Sequence, residues 1–288
     1  MKRFVCLSLV FLAALACSFP DMHEYEPQIV VEGWIENDGY PVVIVTTTVP
    51  VTDEPRHWDS LNEHVVVWAK VTVSDGEKEV VLTGKPNNDY YPPYIYTTSR
   101  LKGEAGKTYT LKVEYGDMTV VAQTTIPYPV PLEWVRVVPS SEGDEFSIRA
   151  GLRDDPQTKD YYKFFTKRHH KDSIYVSSFL GLIDDDILDA EVSEIIIRGP
   201  YSPKSGLSES EIYYSSEDKV IIRFCTLDYG SFCYWEDYDD ILALSRNPFF
   251  SVSKKIRSNV SSGYGYWAGY GSTYYRVSVS DSLAVKTH

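Results

Sequence analysis

The chain has 288 residues, 41 of them acidic and 28 basic, for a formal charge of -13 at pH 7. That balance leaves no basic footprint for a phosphate backbone and sets nucleic acid aside as a partner. No apolar run reaches the ~20 residues of a spanning helix, and the length is enough for two domains with separate cores.

In chain order, Lys2 and Arg3 precede an uncharged apolar run from Phe4 to Leu15, followed by Ala16 and Cys17. This is the layout of a secretory signal peptide over residues 1–16. Ala14 and Ala16 lie directly before a cysteine, as in the lipobox of bacterial lipoproteins, so Cys17 is expected to become the acylated first residue of an exported chain. Several acyl chains, each buried methylene contributing ~0.8 kcal/mol, would hold it stably on a membrane. Residues 17–27, polar and acidic with two prolines, read as a lipidated tether.

Residues 28–126 read as strands. Ile29 to Ile35 and Tyr40 to Thr47 flank Asp38-Gly39, and Val65 to Ser74 and Glu77 to Leu82 flank Asp75-Gly76, turn pairs that tolerate positive φ. Tyr109, Leu111, Val113 and Tyr115 alternate with polar residues, and Gly116-Asp117 turns into a second alternating run up to Ile126. At least six strands with tight turns and no convincing helix predict an antiparallel sandwich of immunoglobulin or fibronectin type. Gly106-Lys107-Thr108-Tyr109 has the look of a tyrosine corner. Trp34 and Trp68, inside predicted strands, are expected in the core.

Proline at positions 127, 129 and 131 predicts a semi-rigid linker over 127–131. Residues 132–288 then predict a second β-rich domain. Its strands are Phe146 to Leu152, Tyr161 to Arg168, Glu194 to Arg198, Lys219 to Leu227 and Tyr274 to Val279. One short helix is expected near 235–245, with Glu236, Asp237, Asp239 and Asp240 close to its start. Cys225 and Cys233 are expected to pair as a disulfide across a tight turn at Asp228 to Gly230, a local staple worth under ~3 kcal/mol.

Three constellations could carry chemistry. Asp184, Asp185 and Asp186, with Asp189 and Glu191, offer carboxylate oxygens to calcium, but they lack the alternating acids and turn glycine of an EF-hand loop, which favours a solvated acidic turn. Lys167-Arg168-His169-His170-Lys171 is a basic cluster that suits either internal charge partners or an anionic polymer; adjacent histidines on a strand would point to opposite faces. Gly263 to Tyr275 interleaves glycine with aromatics, and Tyr264, Tyr266, Trp267 and Tyr270 make the candidate ligand surface for a small molecule or glycan, unless they seal the second core. No nucleophile elbow, zinc-protease helix or Walker loop is present, which points away from an enzyme and gives no cofactor.

Several stretches together resemble a family of Bacteroidota outer-membrane lipoproteins of unknown function (domain of unknown function 4249). They are VVEGWI at Val30 to Ile35, GKTYTLKV and AQTTIPYPV within Gly106 to Val130, DDDILDAE at Asp184 to Glu191, FCYWEDY at Phe232 to Tyr238, and NPFF with IRSNVSSGYGYWAGY within Asn247 to Tyr270. The resemblance implies an accessory lipoprotein beside a TonB-dependent receptor, with no assigned catalytic residue. Asp21, Glu24 and Glu26 after Cys17 resemble the surface-export signals of such proteins and imply exposure on the cell surface. Against a non-enzymatic binding role stand two alternatives, a surface glycan-active hydrolase and an adhesin or structural surface lipoprotein.

Overall fold

The computed structural model describes residues 25–49, 62–139, 145–153, 155–188, 191–200, 213–244, 254–280 and 285–287. Cys17, the signal peptide, most of the tether and Asp189 lie outside them. The described chain is mainly β, in several antiparallel sheets packed as sandwiches, with one α-helix.

The first half supplies β1 (Ile29–Glu36), β2 (Val42–Thr47), β3 (Lys70–Ser74), β4 (Glu79–Val81), β5 (Thr83–Pro86), β6 (Tyr94–Thr97), β7 (Thr108–Tyr115) and β8 (Met118–Thr125). The β7 and β8 alternation predicted from sequence is observed: Tyr109, Leu111, Val113, Val120 and Ala122 are buried, and their neighbours face outward. Tyr109 forms the tyrosine corner, its hydroxyl accepting from Glu104 N at 2.9 Å and donating to Lys102 O at 3.3 Å. The strand expected from Val65 begins only at Lys70. Before it, Tyr96 Oη accepts from Ala69 N and donates to Val66 O, so Val66 turns inward and Trp68, expected in the core, is 87% exposed.

The second half supplies β9 (Trp134–Pro139), β10 (Glu145–Arg153), β11 (Tyr161–Arg168), β12 (Val176–Asp184), β13 (Val192–Ile197), β14 (Tyr214–Ser215), β15 (Lys219–Leu227), α1 (Tyr229–Leu244), β16 (Tyr264–Ser278) and β17 (Val285–Thr287). Helix α1 starts earlier than predicted, because Asp228 caps it: Ser231 N donates to Asp228 Oδ1 at 2.6 Å. The acidic residues expected at its start therefore lie near its middle.

β16 joins the halves. Residues 264–270 pair in parallel with β1, and residues 271–278 pair antiparallel with β15. The result is one long sheet, β12-β11-β15-β16-β1-β2-β6-β5, backed by β4-β3-β7-β8 over the first half and by β9, β10, β13 and β14 over the second. Side chains of a strand alternate between faces. Val31, Ile35 and Trp267 point into the first core, and Phe164, Ile222, Phe224 and Tyr275 into the second. Glycine lets the β16 backbone sit close to its neighbours. Gly265 has φ +103°, and a Cβ there would lie 1.8 Å from Val31 O; one at Gly271 would lie 2.5 Å from Pro127 O of the proline segment crossing behind.

Trp267 is fully buried in the first core, and its indole N–H donates to Tyr109 O at 3.1 Å. It comes from one half of the sequence and fills the core of the other. Trp267→Ala is expected to cost about 3–5 kcal/mol in urea unfolding, and a loss under about 1 kcal/mol would contradict this packing.

Candidate functional site

The face of the long sheet turned away from both cores carries a different set of residues. Register places Glu32 beside Tyr266 and Glu36 beside Tyr270 across β1 and β16, Arg223 between Tyr274 and Phe165, and Cys225 between Ser272 and Lys163. Four charged side chains, Glu32, Glu36, Lys163 and Arg223, thus stand where apolar ones would be usual on a single face. Helix α1 lies over it: Tyr234 stacks on Tyr266 with ring centroids 4.7 Å apart, Trp235 meets Phe165 edge-on at 5.2 Å, and the Trp235 indole donates to Tyr270 Oη at 3.1 Å.

Between helix and sheet is a cavity of about 280 Å³, walled chiefly by Glu32, Trp34, Tyr90, Arg223, Trp235 and Tyr270. A second cavity of about 300 Å³ shares Glu32, Phe165, Tyr175 and Trp235 with it and runs out along the helix past Tyr238 and Asp239. The two share a wall and together form a cleft rich in aromatic rings.

The charges within are arranged in pairs. The Arg223 guanidinium carbon lies 4.3 Å from the Phe165 ring centre, 5.0 Å from Tyr175 and 5.5 Å from Tyr270, favourable cation–π distances. Its counter-ion is Glu36, 3.9 Å away, which also accepts from Ser272 Oγ at 2.6 Å and Tyr274 Oη at 2.7 Å. Lys163 is fully buried, 2.8 Å from Asp239 and 4.9 Å from the Trp235 ring centre. Burial lowers its pKa, with Asp239 pulling the other way. Glu32 differs: its side chain is solvent-reachable in the cleft and has no ion pair or hydrogen bond among the described residues. Enough protein surrounds it that burial raises its carboxyl pKa.

The segment after the helix holds it down. Arg257 Nε and its backbone N–H donate to Asp237 Oδ2 at 2.8 and 2.9 Å, and Lys254 adds a contact to Asp237 at 2.8 Å. Asn259 then pairs with the Trp267 backbone in both directions, at 2.8 and 2.9 Å. Arg257 and Asn259 of the sequence stretch IRSNVSSGYGYWAGY are therefore structural.

The candidate ligand surface is divided by strand alternation. Tyr266 and Tyr270 line the cleft, whereas Trp267 faces the opposite way into the core. Tyr264 is 38% exposed at the start of the strand, beneath the Lys255 ammonium at 5.4 Å, and is not among the cleft residues. Trp34, expected in the core, lines the cleft.

The expected disulfide is not formed. Cys225 and Cys233 are buried free thiols, the first facing Ser272 Oγ at 3.4 Å inside the sheet and the second on α1, because the segment between them starts a helix instead of making a tight turn. Burial pushes the Cys225 thiol up to about 12. Asp184, Asp185 and Asp186 do converge, but the position between them is held by the Lys159 ammonium, 2.7 Å from Asp185 and 2.6 Å from Asp186 and also paired with Asp184. A calcium ion would have to displace that lysine. In the basic cluster, Arg168 pairs with Asp172 and Lys171 with Asp218, and the two histidines sit at a turn with ring centres 3.8 Å apart instead of on opposite strand faces.

Sequence reasoning missed Glu32, Lys163 and Arg223. Their signal was a single charge interrupting an apolar run in VVEGW, YYKFF and VIIRFC.

A family model described as Domain of unknown function (DUF4249) matches residues 18–276. Comparison with curated proteins gives no match.

Two outcomes are expected. In mass spectrometry after alkylation, Cys225 and Cys233 should take up label only once the protein is denatured, and should do so without reductant; a peptide cross-linked between them would overturn the free-thiol assignment. The Arg257 hydrogen bonds hold the Asp237 carboxyl well below the usual carboxylate range. Its contribution to stability is thus complete above the unfolded pKa of ~3.9 and lost as pH falls further. The melting-temperature gap between wild type and Asp237→Asn should be full at neutral pH and narrow below about pH 4. A gap that widens on acidification would contradict this.

Proposed function

The chain belongs to the DUF4249 family, and on that premise we propose that it is an exported lipoprotein, anchored through Cys17 to the outer membrane and facing the cell surface, that captures a small ligand for a TonB-dependent uptake system. The observation that carries the capture reading is the cleft between α1 and the long sheet. It is concave and rich in apolar and aromatic side chains, with a few placed charges, which is the usual make-up of a small-molecule site. Partly exposed rings such as Trp34, Tyr90 and Tyr175 can hold a flat or sugar-like body by stacking, with Tyr266 and Tyr270 buried behind them. Its volume suits a small molecule or short oligomer. The export and anchoring reading is supported by the apolar segment ending at Cys17, and the uptake partnership by the resemblance of the sequence to receptor-associated lipoproteins.

The test is an affinity purification of the tagged protein from detergent-solubilised outer membrane, with mass spectrometry of what accompanies it. A TonB-dependent receptor is expected in stoichiometric amount, and Cys17→Ser should move the protein out of the membrane fraction. Recovery of no receptor, under conditions that keep other transporter complexes intact, would remove the uptake role.

A further inference from the structure

Carboxylates of the site face, and of its edge at Asp184 to Asp186, are matched by cations from the chain itself. Glu36 has Arg223, Asp239 has Lys163, and Asp184 to Asp186 share Lys159. In the first two pairs the cation also lies over aromatic rings, three for Arg223 and one for Lys163. Glu32 is four residues from Glu36 on the same face of β1 and is likewise flanked by rings, but it stays open to solvent in the cleft where those pairs are largely buried. Tyr266 is its register partner, Trp34 follows it along the strand, and Tyr234, Trp235 and Tyr238 descend from α1. What the described residues do not supply there is the cation.

We propose that the cleft binds an organic cation, an amine or quaternary ammonium group carried on a flat or apolar body, with Glu32 as its counter-ion and the surrounding rings as its cage. This rests on the capture reading above and names the ligand class of that same site. Carboxylate and ring faces attract a weakly hydrated cation together, and both gain strength where water is partly excluded. Asp89, on the loop that contributes Tyr90 to the wall, adds a second negative charge, whereas Lys167 is turned to Ser173 O at 2.6 Å and Arg223 is balanced by Glu36. The strongly acidic chain draws cations toward it. A neutral sugar could stack on the same rings but would leave Glu32 without a counter-ion.

Isothermal titration calorimetry of the purified protein with tryptamine and choline, against the neutral tryptophol and maltotriose, separates the possibilities. Tryptamine is expected to bind at least about tenfold more tightly than tryptophol, and Glu32→Gln, which keeps the shape, should bring the two within about threefold. If Glu32→Gln does not fold, Trp34→Leu serves instead and should weaken tryptamine more than tryptophol. Equal affinity for amine and alcohol, or a preference that survives Glu32→Gln, would overturn the cation assignment while leaving the cleft as a capture site. Heat from none of the four compounds would count against both.

Discussion

One strand, β16, pairs with β1 through its first half and with β15 through its second, and the rest of the molecule is arranged around that fact. A strand presents its side chains alternately to two faces, so a strand shared by two sandwiches contributes to both cores from one face and to a single continuous surface from the other. Trp267 and Tyr275 go to the two cores; Tyr266, Tyr270, Ser272 and Tyr274 go to the opposite side. The cleft therefore spans the boundary between the two halves of the sequence, and neither half could form it alone. Glu32 and Trp34 come from the beginning of the chain, Arg223 and α1 from near its end.

The electrostatics of the cleft follow from its burial. Unpaired ions are costly to remove from water, so the fold supplies Arg223 with Glu36 and with three rings, and supplies Lys163 with Asp239 and Trp235. The second pair also fixes where the helix rests, because Asp239 and Trp235 both come from α1. Arg257 and Lys254 grip Asp237 on the same helix. The roof of the cleft is thus fastened by charge as well as by stacking, and the geometry of its rings depends on those fastenings.

Much of the first sandwich was legible. The alternation at Tyr109 to Tyr115 and the turns at Asp38-Gly39 and Asp75-Gly76 follow local rules, and Tyr109 fulfilled the corner that its neighbours implied. The site was only partly legible. The period of two would have separated Trp267 from Tyr266 and Tyr270, had residues 263–271 been read as strand; their glycines have poor strand preference, and pairing with β1 overrode it. Asp228-Tyr229-Gly230 suits a turn or a helix cap equally, and only the packing of Phe232, Tyr234 and Trp235 against the sheet selects the cap. Trp68 lies outside the ladder for a reason no local pattern gives, the paired hydrogen bonds of Tyr96. Lone charges inside apolar runs were the clearest unread signal. In these strands they mark the face that turns from the two sandwich cores toward α1.

The sharing of β16 also governs when the molecule can become a molecule. The ladder joining Val30 to Tyr264 closes a loop of well over two hundred residues, and such distant pairings come late and slowly in folding. As the chain emerges N-terminus first, the first sandwich lacks Trp267 and its neighbouring strand until nearly the whole sequence has been made. Early segments therefore remain open and threadable, and the final stretch acts as a bolt that commits both halves at once. For a chain that must cross a membrane before folding, as proposed here, that delay keeps it fit for transport.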